Sequence, residues 1–204
     1  MDTEFEVTGL FYKINGYKLR KHLDIQQVDT NQIDPDLMVV MMNPGSSYPL
    51  DRIDDNYKPA TAKPDNTQNQ IMEVMKNTSL SYARILNLSD LRTPHSRILY
   101  KFVKSQESKQ VDHSIFSASR EVELKELFVE NVPVIYGWGV NPALVPLAKQ
   151  AIEALEVECP MGILKPNTKY TYYHPLPRVH QKRVEWVQHV TNQITRPQQS
   201  CAGV

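Results

Sequence analysis

The residues LMVVMMNPGSS, numbers 37 to 47, decide the fold of this 204-residue chain. Leu37 to Met42 is an unbroken apolar run of strand length, which predicts a central strand buried on both faces. Pro44 ends the strand, because proline fixes φ, lacks an N–H and holds the preceding residue extended. Asn43 is therefore expected just past the carboxyl end of a strand, where open α/β sheets bind their ligands.

Two further predicted strands end in a polar side chain. Tyr170 to Tyr173 is followed by His174-Pro175-Leu176-Pro177, so His174 stands at a proline-ended junction like that of Asn43. Tyr82 to Leu88 carries Asn87 where its apolar run is about to end. All three polar side chains are thus expected at the ligand-binding edge of the sheet.

The remaining segments alternate between helix and strand. Asn15-Gly16 separates two β-rich runs in residues 9–23, which predicts a hairpin, and Asp65 or Asn66 can cap a helix over residues 67–77. The other predicted elements are a strand at 132–139 and helices at 119–130, 141–154 and 178–194. The apolar faces of the first and last of these helices are expected to comprise Val122, Leu124, Leu127 and Phe128, and Val179, Val184, Val187 and Val190. This alternation predicts an α/β fold: a three-layer α/β/α sandwich with a four-stranded, mainly parallel central sheet, plus an N-terminal β-hairpin.

Composition is that of a globular cytoplasmic protein. Hydrophobic residues make up 41% of the chain and charged residues 23%, with a net charge of zero. Two cysteines are too few for an iron–sulfur cluster or a cysteine-based zinc site, and no signal peptide or membrane span is apparent. One domain is expected over residues 1–195, with residues 1–36 as a hairpin extension and residues 196–204 as a flexible tail. The loop from Asn43 to about Asn66 is too long for a simple connection, which indicates a functional or mobile segment.

Four motifs in order resemble those of the uracil-DNA glycosylase superfamily. MMNPG resembles its first motif, the Asn87 strand its base-reading strand, VIYGWG its strand ending in Trp-Gly, and HPLP its closing His-Pro-Ser-Pro motif. The pattern also resembles a bacterial family associated with mobile elements that shares the Asn-Pro start. The resemblance implies an enzyme that hydrolyses the N-glycosidic bond of uracil, or of a related damaged pyrimidine, in DNA after base flipping.

The resemblance also implies roles for individual residues. Asn43 would position the attacking water, His174 would stabilise the anion at O2 of the base, and Asn87 would pair with O4 and N3–H of uracil. The other base-binding residues would be Met42, Pro44 and Gly45, with Tyr48 or Tyr57 stacking on the base. DNA would be contacted by Pro175, Pro177, Arg178, His180, Lys182 and Arg183.

The partners implied are uracil-containing DNA, single- or double-stranded, and a protein inhibitor that mimics DNA. No metal or cofactor is needed, and the protein would act as a monomer.

Four positions depart from the superfamily's motifs. Met41 stands where glycine is usual, Leu176 replaces the serine of the closing motif, and Gly45 replaces a tyrosine that blocks thymine. Arg178 occupies the place of the apolar wedge of many members, which fills the gap left by the flipped base, although an arginine wedge also occurs in the superfamily. Met41 and Leu176 favour an alternative, a catalytically inactive protein of this fold that binds nucleic acid or a protein partner. A hydrolase of free nucleosides or nucleotides is a further alternative, in which the basic run from Arg178 to Arg183 would be a solvated helix face.

Overall fold

A computed structural model describes residues 4–196 and contains one mixed β-sheet with helices on both of its faces. The strands are β1 (Phe5–Ile14), β2 (Tyr17–Gln27), β3 (Leu37–Met41), β4 (Ala60–Thr61), β5 (Tyr82–Asn87) and β6 (Val134–Tyr136). The helices are α1 (Asn66–Thr78), α2 (Ser96–Val103), α3 (Glu121–Leu127), α4 (Val145–Leu155) and α5 (His180–Thr195). The tail predicted for 196–204 lies, apart from Arg196, outside the described residues.

The sheet has six strands in the order β4-β1-β2-β5-β3-β6. β3 pairs in parallel with β5 and β6, whereas β2 pairs antiparallel with β5 between Leu23 and Gln26. The predicted α/β class and its parallel strand pairs are confirmed, but the predicted four-stranded, mainly parallel sheet is wrong: the sheet is mixed and has six strands, of which β2 and β4 run opposite to the other four.

The hairpin is part of the sheet and not an extension beside it, because β2 covers the edge that β5 would otherwise expose. The hairpin turn itself is confirmed. Asn15 and Gly16 have φ values of 50° and 81°, the positive angles that a two-residue hairpin turn requires.

The strand predicted at Tyr170–Tyr173 is also wrong. Tyr172 makes only isolated bridges with Gly139 and Leu164. The outer edge of β6 is occupied by Met161, whose backbone exchanges two 2.8 Å hydrogen bonds with Val134 and Tyr136. With that edge taken, the segment before His174 lies across the end of β6 and does not extend the sheet.

Two hydrophobic cores lie on opposite faces of the sheet. On β3, Met38 and Val40 belong to the core that includes α2, α3 and α4, whereas Val39 and Met41 belong to the core that includes α1 and α5. Alternate residues of a strand point to opposite faces, so a continuous apolar run is what a strand covered on both sides requires.

The four predicted helices are present with altered bounds: α1 is longer than predicted, whereas α3, α4 and α5 are shorter. Asp65, one of the two caps that the sequence allows, caps α1 and forms a capping box with Gln68. The helix expected at 119–130 is a 3₁₀ turn followed by α3, and Val122 is 72% exposed rather than buried. On α5 the buried side chains include Trp186 and Val190, while the expected core residues Val179 and Val184 are exposed. Sequence reasoning missed α2 altogether.

No helix within residues 4–196 has the length and apolar character needed to cross a membrane.

Candidate active site

A cleft of about 230 Å³ lies at the carboxyl edge of the sheet, beyond the ends of β3 and β5. Met41 pairs with Asn87 across these two parallel strands, so the segments that follow them leave the sheet side by side. Residues at the N-termini of α1 and α2 also line the cleft. The lining residues are Arg20, Met41, Met42, Asn43, Pro44, Gly45, Ser46, Asp65, Thr67, Gln68, Ile85, Asn87, Thr93, Pro94, Ser96 and His174. Asn43, Asn87 and His174, which the sequence placed at three strand ends, thus line one cleft.

Asn43 is anchored through its side-chain amide. Nδ2 donates hydrogen bonds to the backbone oxygens of Leu91 (3.0 Å) and Thr93 (2.9 Å). These bonds use both N–H groups of the amide and hold the loop before α2 against the end of β3. Oδ1 is the atom of this side chain that is left to accept a hydrogen bond from a water or a ligand.

Gly45 gives the loop after Asn43 its path. Its φ is +62°, in the left-handed region that favours glycine, and Oδ2 of Asp65 lies 3.8 Å from the position a Cβ would take. The chain therefore passes close to the carboxylate of Asp65 at this point.

Asn87 is fully buried, with a relative exposure of 0%. In the amide orientation that satisfies both of its ends, Nδ2 donates to the backbone oxygen of Asn43 (3.3 Å) and Oδ1 accepts from Nη2 of Arg20 (3.1 Å). One N–H of the amide remains for a ligand. Oδ1 of Asn87 was expected to accept N3–H of uracil, but it faces Arg20 instead. The predicted pairing of Asn87 with uracil is modified accordingly.

His174 is held in a defined tautomer by its own loop. The backbone N–H of Leu176 donates to Nδ1 over 3.1 Å, so Nδ1 carries no proton and Nε2–H is the donor. Burial lowers the pKa of His174 to about 4, partly opposed by the nearby carboxylate of Asp65. The imidazole is therefore neutral at physiological pH.

The loop that carries His174 is packed against the strand ends. A Cβ on Gly137 would lie 3.1 Å from Cδ of Pro175 and 3.2 Å from Sδ of Met41, so a larger residue here would push the HPLP loop or Met41 out of its present position. Trp186 of α5 donates from Nε1 to the backbone oxygen of Tyr173 (3.1 Å). The glycine of VIYGWG thus helps to set the position of His174.

Sequence reasoning missed two charged residues of the cleft, Arg20 and Asp65. Asp65 was predicted as a helix cap, and Oδ1 does accept from the backbone N–H groups of Thr67 (2.8 Å) and Gln68 (3.0 Å). The cap uses one carboxylate oxygen, and the side chain also lines the cleft. Arg20 comes from β2, whose place in the sheet was not predicted. The apolar pattern of KLRKHLDI, interrupted by arginine, was the signal that could have marked it.

Several expected ligand contacts lie outside the cleft. Tyr48 stacks under Arg52, whose guanidinium carbon is 3.6 Å from the ring centroid, and Tyr57 is 87% exposed. Among the residues that line the cleft in the described structure there is no Phe, Tyr or Trp. Met41 and Met42 would therefore pack against the face of a ligand, because methionine side chains are flexible and their sulfur atoms are polarisable.

The predicted DNA-contacting residues divide into two groups. Arg178, His180 and Lys182, which follow the HPLP loop in the chain, are exposed. Arg183 donates from Nε to the backbone oxygen of Pro177 (2.8 Å), so it fastens that loop to α5. Pro175 is buried and Pro177 partly buried, which makes both of them structural parts of the loop.

Comparison with known proteins places this site in a family. A family model described as "Protein of unknown function (DUF1643)" matches residues 17–176. The chain belongs to the DUF1643 family. No curated protein and no solved structure matches the chain. The DUF1643 match begins with β2 and ends in the HPLP loop, so it spans every residue that lines the cleft and leaves out β1 and α5.

Residues 4–196 contain no group of three or more His, Cys, Asp or Glu side chains placed to hold a metal ion. The polar side chains of the cleft include a neutral imidazole donor, three amides, a carboxylate and a buried guanidinium.

Proposed function

We propose that this protein is a DNA N-glycosylase of the uracil-DNA glycosylase type. The observation that carries the proposal is the meeting, in one cleft, of Asn43, Asn87 and a neutral His174 whose Nε2–H is free to donate. Helices on both faces of the sheet are consistent with the three-layer sandwich of that superfamily. We expect the protein to work in the cytoplasm as a monomer on uracil-containing DNA.

His174 would stabilise the leaving base. Cleavage of the N-glycosidic bond leaves negative charge on the pyrimidine, and a preorganised donor at O2 is worth about 3–4 kcal/mol of barrier. The hydrogen bond from Leu176 to Nδ1 fixes the donor tautomer before substrate arrives. A neutral donor of this kind needs no protonation step in the physiological range.

Asn43 and Asp65 would share the activation of water. Oδ1 of Asn43 can accept one hydrogen bond from the water and so orient it, but an amide is a poor base. The carboxylate of Asp65 lines the same cleft and can take the proton. This role for Asp65 supplies the base that the sequence-level mechanism lacked.

DNA would dock beside the HPLP loop. Arg178, His180 and Lys182 are exposed at the start of α5, directly after the loop that positions His174. Phosphates are commonly bound by basic side chains and helix N-termini, so this edge suits the backbone on either side of a flipped nucleotide.

The test is incubation of the protein with uracil-containing single- and double-stranded oligonucleotides, followed by alkali to cleave the abasic product. Strand cleavage at uracil, absent from a matched thymine oligonucleotide, is the expected result. Binding of the oligonucleotides without cleavage would instead identify an inactive protein of this fold.

A hydrolase of free nucleosides or nucleotides is the second candidate. None of the exposed basic residues of the α5 start lines the cleft, whose volume of about 230 Å³ is that of a small ligand. Release of uracil from uridine or its nucleotides, with oligonucleotides left intact, would favour this reading over the glycosylase.

A further inference from the structure

Arg20 is a buried cation at the floor of the cleft, with an exposure of only 2%. A β-bulge directs it there. Phe11 pairs with Arg20 and Gly9 with Leu23, so β2 holds one residue more than β1 between these two pairs. Bulges of this kind redirect side chains and are common beside active sites.

The guanidinium of Arg20 lacks the ion-pair partners that three other arginines with buried or partly buried side chains have. Arg84, Arg92 and Arg120 each form an ion pair, with Asp24, Asp54 and Asp90 respectively. No ion pair of Arg20 occurs among residues 4–196, and its Nε and Nη1 have no hydrogen-bond partner there.

Burial lowers the pKa of Arg20 to about 10, with Asp65 and Asp90 opposing that shift, so the side chain is still charged at neutral pH. An unpaired buried charge costs stability, and such groups concentrate at functional sites.

Arg20 donates a hydrogen bond to Asn87, which lines the cleft. Nη2 donates to Oδ1 of Asn87 over 3.1 Å, and the amide of Asn87 has one N–H left to face the cleft. A donor bonded to Oδ1 polarises the amide and makes its N–H a stronger donor. The charge of Arg20 can therefore act on a ligand without touching it.

We propose that Arg20 makes this cleft selective for a pyrimidine base in its anionic form, with Asn87 relaying the positive charge to the acceptor edge of the base. This inference rests on the proposed function for the identity of the ligand.

In the reaction, the bond between C1′ and N1 breaks and its electron pair stays on the base. The water oxygen bonds to C1′, and the water proton goes to Asp65. Arg20 and Asn87 stabilise the charge at O4, while His174 stabilises it at O2. Arg20 is a positioning residue in this scheme, since Asn87 makes the contact.

The test compares two free ligands by calorimetry at neutral pH. Barbiturate is a pyrimidine that is ionised under these conditions, whereas uracil is neutral. Wild-type protein should bind barbiturate at least about tenfold more tightly, as hydrogen bonds to charged groups suggest. Arg20→Gln should abolish this preference, Arg20→Lys should keep part of it, and Arg97→Gln, at an exposed arginine outside the cleft, should leave it unchanged.

Asn87→Leu provides a second test that leaves the arginine in place. It removes the relaying amide at similar volume and should also abolish the preference, so the proposal can be tested even if Arg20→Gln does not fold. Equal affinities in wild type, or a preference that survives both Arg20→Gln and Asn87→Leu, would overturn the inference. If inorganic phosphate competes for the cleft as strongly as barbiturate does, the ligand is not a pyrimidine base and the cleft is a phosphate site.

The outcome separates the inference from the proposed function. If the protein shows the Arg20-dependent preference but excises no uracil, the proposed glycosylase activity is rejected and the anion-selective cleft is supported. If it excises uracil but shows no such preference, the glycosylase activity is supported and the anion-selective cleft is rejected.

Discussion

At the scale of single residues, His174 has the most sharply defined chemistry in the cleft. His174→Ala should slow excision by about 10²–10³-fold and leave oligonucleotide affinity nearly unchanged, because the donor acts mainly on charge that develops in the transition state. Single-turnover rates and a binding titration measure the two effects. His189→Ala, at an exposed histidine of α5, is the control. An unchanged rate would remove His174 from the mechanism.

Asp65 combines a structural and a chemical role that one substitution can separate. Asn is as good a helix cap as Asp, so Asp65→Asn should keep α1 capped while removing the carboxylate. Excision should fall by about 10²-fold, the low end for loss of a general base. The pKa of His174 should also fall below its wild-type value, because the charge of Asp65 raises it.

A titration of the His174 ring by NMR checks the second effect independently of activity. Asp34→Asn, at an exposed aspartate, is the matched control. A slower enzyme with an unchanged His174 titration would mean that Asp65 does not face the imidazole in solution.

At the scale of elements, two neighbouring cations at the start of α5 have different expected roles. The hydrogen bond from Arg183 to the backbone oxygen of Pro177 holds the HPLP loop, so Arg183→Ala should displace His174 and lower the single-turnover rate by about tenfold or more. Lys182→Ala should instead weaken DNA binding and reduce the salt slope by at most about one unit. Arg178→Ala should lower the excision rate on double-stranded DNA more than on single-stranded DNA. Only in a duplex does the flipped nucleotide leave a gap in the base stack for a side chain to fill.

Rates and affinities measured at several salt concentrations distinguish these variants. If all three leave binding and its salt dependence unchanged, the start of α5 is a solvated face. The nucleotide hydrolase would then replace the glycosylase as the favoured function.

At the scale of the whole molecule, buried histidines couple stability to pH. Burial lowers the pKa values of both His22 and His174 to about 4, from the usual 6.5. As pH falls below 6.5 the unfolded histidines take up protons while the folded ones stay neutral. The contribution of these two histidines to the free energy of unfolding should therefore fall from about pH 6.5 to about pH 4, by up to about 1.4 kcal/mol per pH unit for each histidine. Burial raises the pKa of Asp90 to about 6, which acts in the opposite direction below that pH, so the histidine contribution is measured as the difference between a histidine variant and wild type.

Urea denaturation at a series of pH values measures this slope. His22→Gln should make it shallower, whereas His189→Gln should not alter it, because His189 is exposed. The same slope in His22→Gln and wild type would mean that His22 titrates alike in the folded and unfolded chains.

The sequence by itself determined the features that depend on neighbouring residues. The apolar run before Asn43-Pro44 is β3, Asn15-Gly16 is the hairpin turn, and Asp65 caps α1. Each follows from local chemistry: proline ends a strand, Asn-Gly accepts positive φ, and a short acidic side chain binds free helix N–H groups. The ends of three apolar runs indicated the polar side chains that meet in the cleft, and the resemblance of four motifs implied a role for each of them.

Only the tertiary structure decided which edges pair and which side chains meet. β2 was readable as a strand, but its pairing with β5 depends on which edge of the sheet remains open. That pairing brings Arg20 beneath Asn87, and the path of the loop after Gly45 brings Asp65 beside His174. The segment before His174 was misread because Met161 already occupies the edge of β6. Local patterns specify the elements, whereas competition for sheet edges and the burial of charge are settled between residues far apart in the chain.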